Sequence, residues 1–307
     1  MKINQTKFIV TSFAILFIVF CLVLLVSINK VYDQKENRNH MKRLLTNQLF
    51  NPSVQAVELA TMMPDNKVKA SILASTTSIT SATVQRDTAM QTKHQTIPIL
   101  MYHHIRDFND PTDTIGTNLS VDPVAFAAQL DYIRELGYST ITFAELESGN
   151  LPDKPVILSF DDGYENFYQN AYPALKSRGM KSVNFIITGS LAGDYMTEAQ
   201  IKELSDNGFE IGAHTVSHPD LSTATTARAI KEITASKSAL ETIIGKKVIS
   251  FCYPSGKYNP EVEKEVKDAG YLYATTTKGG LADITANSLE LSRYRVNHDT
   301  NIKGFFK

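Results

Sequence analysis

The chain reads as an α/β protein built on a closed or nearly closed parallel barrel, and two observations predict this. From Ile97 onward, apolar runs of strand length alternate with helically periodic segments, giving seven or eight βα-type units over about 210 residues. His103, Asp161, Asp162, His214 and Tyr253 each fall just past the C-terminal end of an expected strand. Barrel enzymes build their sites at that rim from the ends of several strands. A doubly wound open sheet is the alternative.

The elements follow in order. Ile97 to Tyr102 is a short apolar strand. Asp122-Pro123 opens a helix to Leu136, with Pro123 in the first turn, Gly137 as the stop, and Phe126, Leu130, Ile133 and Leu136 as its apolar stripe. Strands are expected at 139–143 and 156–160, a helix at 164–178 and a strand at 182–188. Thr197 and Gln200 form a capping-box start for a helix ending at Gly208. A strand at 209–213, a long helix at 226–244, a strand at 248–253, a helix at 260–269, and strands at 271–275 and 292–296 complete the pattern.

Ahead of this domain the composition changes. Phe8 to Ile28 is almost wholly apolar and uncharged. At ~1.5 Å per residue it spans about 31 Å, matching a bilayer core of ~30 Å. A cleaved signal peptide would have a shorter apolar region and a small-x-small site, which Val26 to Lys30 does not offer. The expectation is an uncleaved anchor over 1–29, a low-complexity Ser/Thr/Ala/Gln-rich tether over 30–95, and a catalytic domain over 96–307. Residues 1–95 hold 11 Lys and Arg against 5 Asp and Glu, and the remainder of the chain is net −7. An acidic domain argues against a nucleic-acid partner, and no obligate protein partner is evident. Lys30, Lys35, Arg38, Lys42 and Arg43 follow the span. The positive-inside rule alone would put that side in the cytoplasm, in conflict with the outward placement expected below. Cys21 lies within the span and Cys252 in the domain, which makes an intrachain disulfide implausible.

Ser159-Phe160-Asp161-Asp162-Gly163 and His214-Thr215-Val216-Ser217-His218 carry the chemistry. Histidines four apart can meet one metal ion if the segment turns helically after its strand, with Asp162 as a third, oxygen ligand. Three protein ligands leave a coordination position open for water, and a neighbouring Asp can take that water's proton. The competing reading, a helix N-cap, explains one Asp but not two. The acid that protonates a leaving group is sought among His103, His104 and His298, since histidine titrates near neutrality. Strand alternation lets only one of His103 and His104 face the rim centre. Tyr253-Pro254-Ser255-Gly256 leaves a strand into a tight turn whose backbone N–H could face an oxyanion. Cys252 reads as a small buried residue.

Together the stretches 159–163, 214–218 and Phe251-Cys252-Tyr253-Pro254-Ser255-Gly256 resemble the NodB-homology polysaccharide deacetylases, from about Ile97 to the C-terminus. The resemblance implies a distorted (β/α) barrel of about seven strands that hydrolyses N-acetyl groups on N-acetylglucosamine polymers. It implies Asp161 as base, Asp162, His214 and His218 as ligands of zinc or another divalent ion (cobalt, nickel, iron), and an oxyanion site at the backbone of Ser255. The family's Arg is replaced by Cys252, its substrate-lining Trp is absent, and no C-terminal Leu-x-His motif is evident. Leu100-Met101-Tyr102-His103 at the domain's start looks instead like the subgroup acting on biofilm poly-β-1,6-N-acetylglucosamine, whose acid comes from the first strand. That similarity selects His103. Arg293 or Arg295 is the expected substitute for orienting the base. Such a polymer is extracellular, so the domain is expected outside the cell on a single-pass anchor. Peptidoglycan or chitin-oligosaccharide deacetylation is the alternative, and an inactive polysaccharide-binding module is the reading from another class.

Overall fold

The computed structural model describes residues 96–149 and 151–306. The expected anchor at 1–29 and tether at 30–95 lie outside the described residues. Among the described residues no helix is long and apolar enough to cross a membrane.

Eight strands form the main sheet: β1 Ile99–Tyr102, β2 Ser139–Thr140, β3 Pro155–Phe160, β4 Val183–Ile186, β5 Glu210–Ala213, β6 Ser250–Cys252, β7 Tyr273–Thr275 and β8 Tyr294–Arg295. Their order is β7-β6-β5-β4-β3-β1-β8, and every pairing is parallel. β2 pairs with the first two residues of β3, off this path. The helices are α1 Thr114–Leu119, α2 Pro123–Glu135, α3 Phe143–Ser148, α4 Tyr172–Ser177, α5 Glu198–Asp206, α6 Thr226–Ile244 and α7 Pro260–Asp268. The sheet curls without direct pairing between its edge strands β7 and β8. One chain segment approaches both edges: Leu291 bridges Thr275 of β7, and β8 follows on β1. The expected barrel is thus a curled parallel sheet, tied at its open side by this segment.

Strand alternation divides the core into two clusters. Ile99, Ile157, Val183, Phe185, Cys252 and Tyr273 pack together with Phe143 and Leu146 of α3. Leu100, Tyr102, Leu158, Phe160, Ile186, Phe251 and Ala274 pack against α2, α4, α5, α6 and α7 in the larger cluster. α2 and α6 contribute Phe126, Leu130 and Ile133, and Ala229, Ile233, Leu240 and Ile244, at the i, i+3, i+4 spacing of a one-sided apolar stripe. This parity carries past the strand ends. Counting in twos from Ile99 leads to His103, and from Ile157 to Ser159 and Asp161.

The elements depart from expectation in several places, among them the short helix α1 and the parallel pairing of His104–Ile105 with Ser120–Val121. The strand expected at 139–143 stops at Thr140, because Thr142 and Glu145 form a reciprocal capping box that starts α3 at Phe143. The helix expected at 164–178 forms from residue 165 to Ser177, with a π-helical turn, Phe167–Ala171, inside it ahead of α4. Pro173 has no N–H to close an α-helical bond to residue 169, so the ladder widens there. Pro98 splits the first strand, and Thr96–Ile97 pairs antiparallel with Ala282–Asp283.

Candidate active site

β1 and β3 pair with Tyr102 opposite Phe160, so His103 and Asp161 leave adjacent strands in register. The Asp161 N–H donates to the Tyr102 carbonyl at 3.0 Å. Asp161 is buried, and Arg293 forks it: Nη1 lies 2.7 Å from Oδ1 and Nη2 2.8 Å from Oδ2. Arg293 is fully buried and held in turn. Its Nε donates to the Thr276 carbonyl at 3.0 Å, Nη1 to Ser159 Oγ at 3.1 Å and Nη2 to Cys252 Sγ at 3.2 Å. The Cys252 thiol also points at Asp161 Oδ2, 3.6 Å away. Burial alone would raise the Asp161 carboxyl, but the Arg293 guanidinium outweighs it and holds the group well below the usual carboxylate range. Of the two arginines expected near the base, Arg293 reaches it, while Arg295 is exposed.

Asp162, His214 and His218 converge beside this pair. Asp162 Oδ1 lies 3.4 Å from His214 Nε2 and 3.7 Å from His218 Nε2. Donor atoms ~2.0–2.2 Å from a tetrahedral ion stand about 3.3–3.6 Å apart, so the spacing suits a metal. His214 Nδ1 meets the Cys252 carbonyl at 2.7 Å, which fixes the ring and leaves Nε2 facing Asp162. Burial disfavours charge on His214, yet Cys252 and Asp162 outweigh it and hold its pKa well above the ordinary value. Both ring nitrogens face acceptors, so Nε2 is a seat for a cation, whether a proton or a metal. Burial would raise Asp162, but His214 brings it below the ordinary carboxylate value. A second cluster, Asp161 with His214 and Cys252, has metal-like spacing. There both Asp161 oxygens are already engaged by Arg293, so the first set is the better fit.

The segment 214–218 does not turn helically, contrary to expectation. Thr215 and His218 take left-handed backbone angles, φ 65° and 54°. The His218 N–H donates to Thr215 Oγ1 at 3.0 Å, folding the loop so that the two imidazole centroids stand 4.8 Å apart. Neither Asp161 nor Asp162 caps a helix, and Asp162 itself sits at φ 75°.

The histidine alternatives separate cleanly. His103 Nε2 lies 3.9 Å from Asp161 Oδ2, and His103 Nδ1 is buried without a hydrogen-bond partner, which favours the proton on Nε2. Burial lowers its pKa, and Asp161 and Asp162 offset part of that. His104 points the other way, bonded to Asn166 Nδ2 at 2.8 Å and stacked on Tyr164 at 3.6 Å. His298 Nε2 sits 3.8 Å from the exposed Asp299. Ser255 lies in the 3-10 turn Pro254–Gly256 with φ 54°, directly after the buried Tyr253. The roles of Ser159, Thr276 and the Cys252 carbonyl escape sequence reasoning. Ser159, polar within the buried run Pro155–Phe160, is the one that leaves a sequence signal.

A curled parallel sheet carrying a carboxylate pair and two histidines at its C-terminal rim gives this α/β protein a site with metal-ready spacing, suited to hydrolysis. The profile of the polysaccharide deacetylase family matches residues 148–274. A Bacillus subtilis protein named as a polysaccharide deacetylase, YxkH, is 34% identical over 207 residues, covering 66% of this chain and 71% of that one. The poly-β-1,6-N-acetyl-D-glucosamine N-deacetylase of Staphylococcus aureus is 26% identical over 227 residues, covering 65% and 78%. The structure of the Streptococcus pyogenes deacetylase PplD in complex with acetate superposes with a TM-score of 0.64 at 33% identity, covering 69% of this chain and 98% of that one. The chain belongs to the polysaccharide deacetylase family.

Proposed function

We propose that this hydrolase removes N-acetyl groups from N-acetylglucosamine residues of an extracellular polysaccharide, with poly-β-1,6-N-acetylglucosamine as the leading substrate. The observation that carries the reading is His103, delivered by the first sheet strand to within 3.9 Å of Asp161. The Staphylococcus aureus relative supports the linkage, since its name specifies that polymer.

Asp162, His214 and His218 would hold a divalent ion, zinc in the first instance. When bound, such an ion polarises an acetyl carbonyl and acidifies water. Asp161 takes a proton from the attacking water. Arg293 keeps its carboxylate ionised and both oxygens oriented, so the group accepts that proton without first having to shed one. The water oxygen bonds to the acetyl carbon as the carbonyl π-pair moves onto its oxygen, and the carbon–nitrogen bond breaks when that oxyanion collapses. The leaving amine needs a proton: His103, acting in its protonated form, donates it, and the proton that Asp161 took from water then passes to His103 Nε2, 3.9 Å from Asp161 Oδ2, and restores it. In this reading the backbone N–H of Ser255, in the turn after Tyr253, stabilises the developing oxyanion. Free amine and acetate are the products.

Acetate release from β-1,6-linked and β-1,4-linked N-acetylglucosamine oligomers, with and without chelator, tests the proposal. Preference for the β-1,4 series would redirect it to peptidoglycan or chitin oligosaccharides. An Asp161→Asn variant that stays folded, holds metal and keeps full activity would overturn Asp161 as base. The substrate's location also leads us to propose an outward-facing domain on a membrane anchor, and protection of the domain from protease on intact cells would refute that placement.

A further inference from the structure

We infer that Glu232, on the long helix α6, is a positioning residue that holds the 214–218 loop in its metal-ready shape. This rests on reading Asp162, His214 and His218 as the metal ligands. Glu232 belongs to the inward face of α6 with Ala229, Ile233 and Ser236, where a carboxylate is costly unless it is satisfied. Its satisfaction comes from the loop. Oε2 accepts from the Val216 N–H at 2.9 Å and the Ser217 N–H at 2.9 Å, and Oε1 accepts from Ser217 Oγ at 2.6 Å. Arg228 Nε stands 4.0 Å from Oε1 and is largely exposed, so the three loop bonds dominate.

The loop needs such a hold. Thr215 and His218 both occupy left-handed backbone angles without being glycine, each costing roughly 1–3 kcal/mol unless the surroundings over-determine it. Gly189 clamps the other side: its N–H donates to the Val216 carbonyl at 2.8 Å, and a Cβ there would lie 2.5 Å from that oxygen. Val216 and Ser217, the residues Glu232 grips, sit between the two strained positions and between the two histidines. Releasing them lets Thr215 and His218 relax toward ordinary angles, which swings His218 away from Asp162. The more deeply buried His214 remains pinned to the Cys252 carbonyl. Glu232 therefore acts through the loop on the geometry of His218.

The experiment is zinc titration of the chelator-stripped protein against a competing chromophoric chelator, for wild type, Glu232→Ala and Glu232→Gln. Residues that orient metal ligands typically cost 10- to 100-fold in affinity when removed. That loss is expected for Glu232→Ala. Glu232→Gln keeps an acceptor oxygen for the two N–H groups and is expected to recover most of the affinity. A merely structural carboxylate would lower thermal stability equally in the stripped and zinc-loaded forms and leave the zinc dissociation constant unchanged, and that result overturns the inference. If Glu232→Ala does not fold, Glu232→Asp decides: weakening of about tenfold supports the positioning role, and wild-type affinity overturns it. Absence of zinc binding by the wild type would instead overturn the metal site itself.

Discussion

Arg293→Gln removes the guanidinium that forks Asp161. Two charge-assisted bonds at 2.7 and 2.8 Å are lost, each worth about 1.5–3 kcal/mol. That agrees with the about 3–5 kcal/mol expected when one partner of a buried ion pair is deleted. Since 1.36 kcal/mol corresponds to one pH unit, losing about 3 kcal/mol of support for the ionised form moves the acidic limb of kcat/KM upward by about two pH units. The direction follows from the balance at Asp161, where burial raises the carboxyl and Arg293 overrides it; once Arg293 is gone, burial prevails. Stability changes in the same sense. In the wild type the pair stabilises the fold above the ordinary aspartate pKa, and that contribution is lost as pH falls through the lowered native value. The variant lacks it throughout. The assay is a pH–rate profile of the metal-loaded enzyme on N-acetylglucosamine oligomers, alongside thermal unfolding. A folded variant whose acidic limb stays where the wild type has it would refute the reasoning.

His103→Gln should lower kcat by about 10²–10⁴ and leave zinc affinity within a few-fold; unchanged kcat would remove His103 from the mechanism. Zinc affinity should fall as pH drops, because the proton that His214 holds at raised pKa competes for Nε2; titrations at successive pH values showing constant affinity would contradict this. Gly256→Ala should destabilise the fold, because Gly256 sits at φ 69° and a Cβ would lie 2.1 Å from Thr277 Oγ1 and 2.9 Å from the Thr277 backbone nitrogen. Denaturant unfolding should show a loss of about 1–3 kcal/mol, together with reduced activity through the displaced Ser255 turn.

The sequence by itself determined the alternating βα pattern, the strand ends and the composition of the site, because these depend on local periodicity and on residue type. Near-continuous apolar runs of strand length put Asp161, Asp162 and His214 at strand termini whatever the sheet order. Only the tertiary structure decided which side chains meet. Arg293 and Asp161 are 132 positions apart, and Arg293 and Arg295, two residues apart, share strand parity, so only the path of the chain into β8 buries the first and exposes the second. His103 and His104, adjacent along the chain, do differ in parity, and only His103 faces Asp161. The helix expected at 164–178 is present, but its π-helical turn left no sequence signal, because Pro173 in the second position of α4 also suits an ordinary helix start. Left-handed angles at Thr215 and His218 were invisible because they are imposed from outside, by Gly189 on one flank and a helix carboxylate on the other. Local sequence specifies an element's period, whereas a strained loop exists only where distant packing holds it.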